Sequence, residues 1–374
     1  MSAVATVTSD QDLEEFRDSV RAALADVSTT ARVRAAMATE RGWDAQTWRV
    51  LGGQLGLAGL MLPEEVGGAG LGPAELSVAV EECGAALACS PMFATSVLAV
   101  PLLLAIGDAT ALAEYGPRLA AGELTATVAL AEEGARWDVA AVRATARAEG
   151  GGWRLDGVKH HVVDGGAADL VLVVARTPEG PGVFAIRRDA PGLRVEQLTT
   201  LDQTRKMARL HLDGVPGRLV GGPDAAPAVA AATDVSRTLL AAEQTGVAQR
   251  ALDMVVEYAK TRIQFARPIG SFQAVKQRLA DALIKVESAR SGVYTAARST
   301  GADLARNSRV AAVMAGDAST WVTAQAIQLH GGIGFTWEHD AHLYFKRART
   351  SAMLLGTVSD TITALGAILD SEII

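Results

Sequence analysis

Two stretches of the chain combine arginine, glutamine, aromatic residues and turn-forming glycine or proline in a way that suits a phosphate-bearing ligand. They are Arg262–Asp281, RIQFARPIGSFQAVKQRLAD, and Gln328–Arg347, QLHGGIGFTWEHDAHLYFKR. Each sets a rigid turn between two helical patterns. Backbone N–H groups at helix ends, together with guanidinium and amide donors, are the groups that hold an anion. A third candidate is Glu243, in the otherwise apolar run Leu239–Gly246 and two helical turns after Ser236. A carboxyl buried there would hold its proton more tightly, as suits a base that removes a proton from carbon. The alternative is a structural glutamate bonded to backbone or to a neighbouring subunit.

Other residues of reactive type point nowhere. His330, His339 and His342, with Glu338 between them, lack the i, i+4 spacing of a metal-binding helix, so no metal is expected. Gly68 and Gly70 begin a glycine-rich fingerprint, but Pro73 stands where its third glycine belongs and no strand precedes it. A loop between helices is expected there instead of a dinucleotide turn. Cys83 and Cys89 are the only cysteines, spaced for neither zinc nor a redox pair, and are expected as free thiols of a cytoplasmic protein.

The elements that must position these groups fall into three stretches. Residues 1–123 read as helices, with Phe16, Val20, Ala23 and Leu24, then Trp48, Leu51, Leu55 and Leu57, at helical spacing, and Asp10 as a candidate cap. Residues 124–224 carry short β-rich runs such as Trp153–Gly157, Leu170–Val174, Gly182–Ile186 and Leu210–Asp213, separated by Gly, Asp and Pro turns. Residues 225–374 return to helix, with one long helix through Leu239, Gly246 and Ala259 and others at Ala274–Ser299, Ser308–Leu329 and Ser359–Leu369. The fold class is α+β: an N-terminal helical bundle, a middle β-barrel-like domain and a C-terminal four-helix bundle.

A net charge of −7 argues against nucleic acid as the main partner, because phosphate backbones need a basic face. A few well-placed arginines still suffice for an anionic cofactor. The N-terminal sequence lacks the positive and apolar regions of a signal peptide. No stretch reaches the roughly 20 apolar residues of a membrane span.

The helix–sheet–helix order and the two turn segments resemble the acyl-CoA dehydrogenase family, and the resemblance covers nearly the whole chain. It implies FAD as cofactor and α,β-desaturation of an acyl thioester, carried by CoA or an acyl carrier protein. It also implies a tetramer built through the C-terminal helices and an electron-transfer flavoprotein as acceptor. The matching cofactor positions are Arg262, Gln264, Phe265, Gln273, Gln328, Gly331 and Gly332, which in the family serve the ADP half of a neighbour's FAD, with Thr357 nearby. Ala266 replaces a common glycine. The segment that lines the family's flavin ring corresponds to residues 131–138, where only Glu132 and Asp138 are kept. On the next strand His161 stands for a stacking Trp and Val163 for a hydroxyl residue. Arg205, in another departing segment, is expected to pair with an acid on the surface; the alternative is that it compensates electrostatically for the changed pocket.

The family's usual catalytic Glu corresponds to Leu355, and the minority position to Ser236. Neither is a base. Kept ADP elements beside an eroded ring pocket are what one partner of a heteromeric enzyme would show. The segments VVDGGAADLVLVVAR and LDQTRKMARL look most like actinobacterial members, some of which form mixed pairs on steroid-derived CoA esters. The alternatives are a self-sufficient enzyme using Glu243, a flavin-free hydratase or lyase, and a non-catalytic structural subunit.

Overall fold

The computed structural model describes residues 9–134 and 137–373. The first eight residues, on which part of the leader expectation rests, lie outside the described residues, as do Ala135 and Arg136 of segment 131–138. Among the described residues six α-helices come first: α1 Asp10–Val27, α2 Thr30–Met37, α3 Ala45–Trp48, α4 Pro73–Ala85, α5 Val100–Ile106 and α6 Ala109–Ala120, with π-helical turns at Arg49–Gln54 and Phe93–Ala99. Seven strands follow: β1 Ala126–Ala129, β2 Thr145–Glu149, β3 Gly152–Val163, β4 Leu170–Thr177, β5 Gly180–Arg187, β6 Leu193–Gln197 and β7 Met207–Val220. The last part holds α7 Ala226–Thr261, the small strands β8 Ile263–Gln264 and β9 Arg267–Pro268, then α8 Gln273–Ala297, α9 Gly301–His330, α10 Ala341–Ser351 and α11 Val358–Ile373. Helix, sheet, helix is the order the sequence implies.

By compactness the chain forms two units. The first holds Arg34–Leu76 and Cys89–Ser236 with the first turns of α1, and the second holds Phe16–Val33, Ser77–Ala88 and the chain from Arg237 onward.

In the first unit the strands close on themselves. β4 pairs with β5, β5 with β7, β7 with β3, β3 with β2, and β2 meets β4 again at Thr145 and Arg176. β1 and β6 add to the outside of this ring by pairing with β4 and β7. Val171, Val173, Phe184, Ile186, Leu210 and Leu212 fill its core. β4 is buried on both faces, with Leu170, Leu172 and Val174 also inaccessible. A strand covered on both sides reads as an unbroken apolar run instead of an alternating one, which is why LVLVV stood out.

In the second unit α7 is buried on every side from Thr238 to Val247. Such a helix shows no apolar stripe. It crosses α4 at two glycines. A Cβ on Gly246 would lie 1.8 Å from the Glu81 carbonyl oxygen, and one on Gly84 2.3 Å from that of Glu243.

Three boundaries differ from the sequence expectation. Ser9, not Asp10, caps α1: its hydroxyl accepts the Asp12 N–H while the Asp12 carboxylate accepts the Ser9 N–H and O–H, a reciprocal capping box. α9 starts at Gly301 instead of Ser308, because its first two turns are polar and half exposed. α10, the helical pattern expected after the Gly331–Gly334 turn, runs from Ala341 to Ser351, past the Arg347 at which the expected segment ended. Its inward face carries His342, Arg347 and Ser351 among the apolar residues, so its hydrophobic period is broken where it is most buried.

Gly246→Ala is expected to cost about 1–3 kcal/mol or more through overpacking at the crossing. Chemical denaturation of the variant beside Gly84→Ala and the double variant checks this. The losses should be non-additive, because both substitutions act on one contact.

Candidate active site

In the second unit, α7 ends where the Arg262 N–H donates to the Tyr258 carbonyl, and the chain turns into the β8–β9 hairpin. Its tip, Phe265–Ala266, has φ of +52° and +62° at two non-glycine residues. A two-residue turn of this hand favours Asn-Gly, and each side chain in the left-handed region costs about 1–2 kcal/mol. The glycine replaced at Ala266 thus had a conformational purpose. Phe265 is 87% exposed, and Arg262, Gln264, Gln273 and Gln328 are exposed as well. Gln273 opens α8 and Gln328 lies in the last turn of α9. Past it, a Cβ on Gly331 or Gly332 would meet nothing within 4 Å, so the backbone there is open to a ligand. Exposed cationic and amide donors with open backbone fit the ADP half of a dinucleotide. Thr357 is engaged locally: its N–H and O–H donate to Asp360, capping α11.

Leu355, at the position of the family's usual base, is 5% exposed and has φ +58°. It borders a cavity of about 20 Å³ together with Arg237, Gln244, Ser351 and Leu354. That volume holds about one water. Glu243 is not among the lining residues. It is buried, accepts a hydrogen bond from Ser351 Oγ at 3.2 Å, and faces Arg347 Nη1 at 3.5 Å. These are the surroundings of a buried ion pair, not of an isolated carboxyl.

In the first unit, the Ser236 hydroxyl donates to the Val97 carbonyl at 2.6 Å. On β3 the register slips between Lys159 and Val162, and the resulting bulge holds His161 at φ +52°. His161 Nδ1 is buried without a hydrogen-bond partner. Burial, then the Arg209 guanidinium, holds this imidazole below the usual histidine range. Val163 is fully buried, and its carbonyl accepts the Thr127 hydroxyl. No hydroxyl stands at either position to meet the edge of a flavin ring, so this side does not fit the ring as the ADP elements fit their half. Asp138 caps a short turn through the Ala140 N–H. Arg205 is not on the surface: it is 5% exposed with its guanidinium over Phe93 at 4.0 Å.

Sequence reasoning missed Lys159, which has no exposed surface at all. Its ammonium donates to Glu132 Oε1 at 2.7 Å and to the Leu130 carbonyl at 3.2 Å, and Glu132 also accepts the Arg143 and Ala144 N–H groups. Burial pulls Lys159 down to about 8, only partly opposed by Glu132. Burial pushes the Glu132 carboxyl up, but Lys159 and the two N–H groups outweigh it and leave it below the usual range. The one available signal was that Glu132 survives in an otherwise eroded segment. Among the described residues no group of His, Cys, Asp and Glu could hold a metal, and no helix is long and apolar enough to cross a membrane. Cys83 and Cys89 form no disulfide.

Models of the N-terminal, middle and C-terminal domains of acyl-CoA dehydrogenases match residues 10–123, 127–215 and 226–362. The chain belongs to the acyl-CoA dehydrogenase family, a family of FAD-dependent oxidoreductases. It is 38% identical over 360 residues to acyl-CoA dehydrogenase IpdE2 of Mycobacterium tuberculosis, covering 96% of this chain and 98% of that relative. A solved steroid ACAD, Tcur3481–Tcur3483, superposes with a TM-score of 0.88 at 36% identity, over 97% of this chain and 98% of that one. The ChsE4–ChsE5 complex of Mycobacterium tuberculosis gives a TM-score of 0.88 at 32% identity, over 97% and 98%.

Glu132→Gln should destabilise the barrel by about 3–5 kcal/mol, because it leaves the Lys159 charge buried and unpaired. Lys159 binds its proton more weakly folded than unfolded. Between about pH 8 and the ordinary lysine range near 10.4 the unfolded chain therefore carries the extra proton. Its contribution to stability falls as pH drops through 8 and grows above it. Denaturant midpoints of wild type and Lys159→Met at pH 7 and 10 check this: the wild type should gain relative to the variant at the higher pH.

Proposed function

We propose that this chain is the base-lacking subunit of a heteromeric, FAD-dependent acyl-CoA dehydrogenase. The observation that carries this reading is the pair of family base positions. One is Leu355, a buried apolar side chain; the other is Ser236, whose hydroxyl is committed to a backbone carbonyl. Similarity to solved complexes named as ChsE4–ChsE5 and as a steroid ACAD supports a mixed pair and a bulky, steroid-derived acyl thioester.

In this reading the second family member supplies the carboxylate that takes the α-proton. FAD, when bound, accepts the hydride from the β-carbon. This chain's part is to hold. Arg262, Gln264, Phe265, Gln273 and Gln328, with the open backbone at Gly331 and Gly332, grip the ADP half of the partner's cofactor. Glu243 is structural, held by Arg347 and Ser351. The thioester is carried on CoA or a carrier protein, and an electron-transfer flavoprotein takes the electrons.

Native mass spectrometry of the chain alone, then co-expressed with a neighbouring family member, tests the proposal. Assembly and flavin loading only with the partner are expected. A homotetramer holding one FAD per chain would overturn it. For Glu243→Gln in the assembled enzyme, thermal stability should fall by about 3 kcal/mol while turnover per folded enzyme stays within twofold. Loss of turnover at full stability would restore Glu243 as the base.

A further inference from the structure

Three rings from separate elements of the second unit lie in a column. Tyr258, near the end of α7, is 4.6 Å from His330, the last residue of α9. His330 is in turn 4.3 Å from His339, in the loop before α10. His330 is only 4% exposed. Its Nδ1 stands 2.6 Å from the Ala326 carbonyl, which can only accept, so the proton is on Nδ1. His339 is the opposite tautomer: its Nδ1 accepts the Ala341 N–H at 3.1 Å, so that nitrogen carries no proton. Both orientations are thus fixed by backbone.

The column touches both candidate cofactor segments at their roots. The Tyr258 carbonyl accepts the Arg262 N–H at 2.8 Å, and the Arg262 carbonyl accepts the Ile269 N–H at 2.9 Å, which frames the hairpin. His330 immediately precedes Gly331 and Gly332, and His339 closes the same loop. The middle of the loop is held separately, by Trp337 edge-on to His342 at 4.7 Å and beneath Lys346 Nζ at 4.2 Å.

We propose that Tyr258, His330 and His339 are positioning residues that couple the 262–268 hairpin to the 331–340 loop, so that the donors of the two segments are presented as one surface. Neither segment is long enough to fix itself. The hairpin has two residue pairs and a strained tip, and the loop is open at its glycines. Ring pairs of this kind stabilise beyond the area they bury. That is enough to change the population of a two-state loop several-fold.

Hydrogen exchange of the full chain tests the coupling. His330→Ala and the more exposed His339→Ala should each speed exchange at Thr336 and His339 or its replacement. They should also speed it at Arg262 and Ile269, on the hairpin, by about tenfold. His330→Phe keeps a ring in the column and should restore protection at the hairpin. Faster exchange confined to the 331–340 loop, or no rescue by phenylalanine, would overturn the proposal. The consequence for cofactor rests on the function proposed above: FAD should leave the assembled enzyme about tenfold faster with His330→Ala and at the wild-type rate with His330→Phe. Coupled exchange with unchanged FAD release would keep the positioning column and sink the cofactor role of the two segments.

Discussion

A carboxylate taken out of water must be met by charge, and in the second unit this need sets the packing. Glu243 sits on the most buried stretch of α7, and Arg347 and Ser351 reach it from α10. On its other side α4 and α7 cross at glycines, with carbonyls where side chains would otherwise stand. One helical turn from Gly84, Glu81 and Glu82 repeat the pattern outward: Arg17 and Arg290 meet Glu81, while Arg17 and Arg21 meet Glu82. Charge thereby keys α7 to α10, and α4 to α1 and α8. Such pairs add little net stability over an apolar core, but any one of them broken leaves an uncompensated ion.

That arrangement also explains how much was legible in advance. The strands at Trp153–Gly157, Leu170–Val174, Gly182–Ile186 and Leu210–Asp213 all lie within β3, β4, β5 and β7, because apolar runs bounded by turn residues report burial directly. Most helices with ordinary apolar spacing were readable too, but not the run Trp48–Leu57. There α3 ends at Trp48, a π-helix covers Arg49–Gln54, and Leu55 and Leu57 lie past it in a bend and a turn. α10 showed only as a helical pattern running to Arg347, because its buried face carries His342, Arg347 and Ser351, and the burial of Arg347 and Ser351 makes sense only once Glu243 is in place. Lys159 was hidden for the same reason: a lysine in a strand reads as facing water unless its carboxylate, 27 residues earlier, is known to be beside it. Pairing across sequence distance leaves no local trace.

The two halves of the candidate site differ in kind. The elements suited to an ADP group are exposed, polar and attached to helix ends, so motif and spacing revealed them. The surroundings of Leu355 are a matter of backbone shape. Its φ of +58° is a conformation a leucine adopts at a cost of about 1–2 kcal/mol. Packing of the loop holds a backbone geometry that a leucine side chain does not favour. Side-chain identity was readable in the sequence; the bend beneath it was not.

The barrel closes through an uneven set of joints. Where β2 meets β4 the ladder has a single register pair, Thr145 with Arg176, beside the Arg176 N–H to the Ala144 carbonyl. Glu132 grips the Arg143 and Ala144 N–H groups at the start of β2 while Lys159 anchors it to β3, so the buried pair holds to β3 the end of β2 that borders this seam. If that seam parted, the facing edges of β2 and β4 would present unpaired N–H and carbonyl groups to any other chain, the usual template for strand-to-strand aggregation. The pair is thus also a latch on solubility, and its failure would show in the cell as lost protein before it showed as lost chemistry.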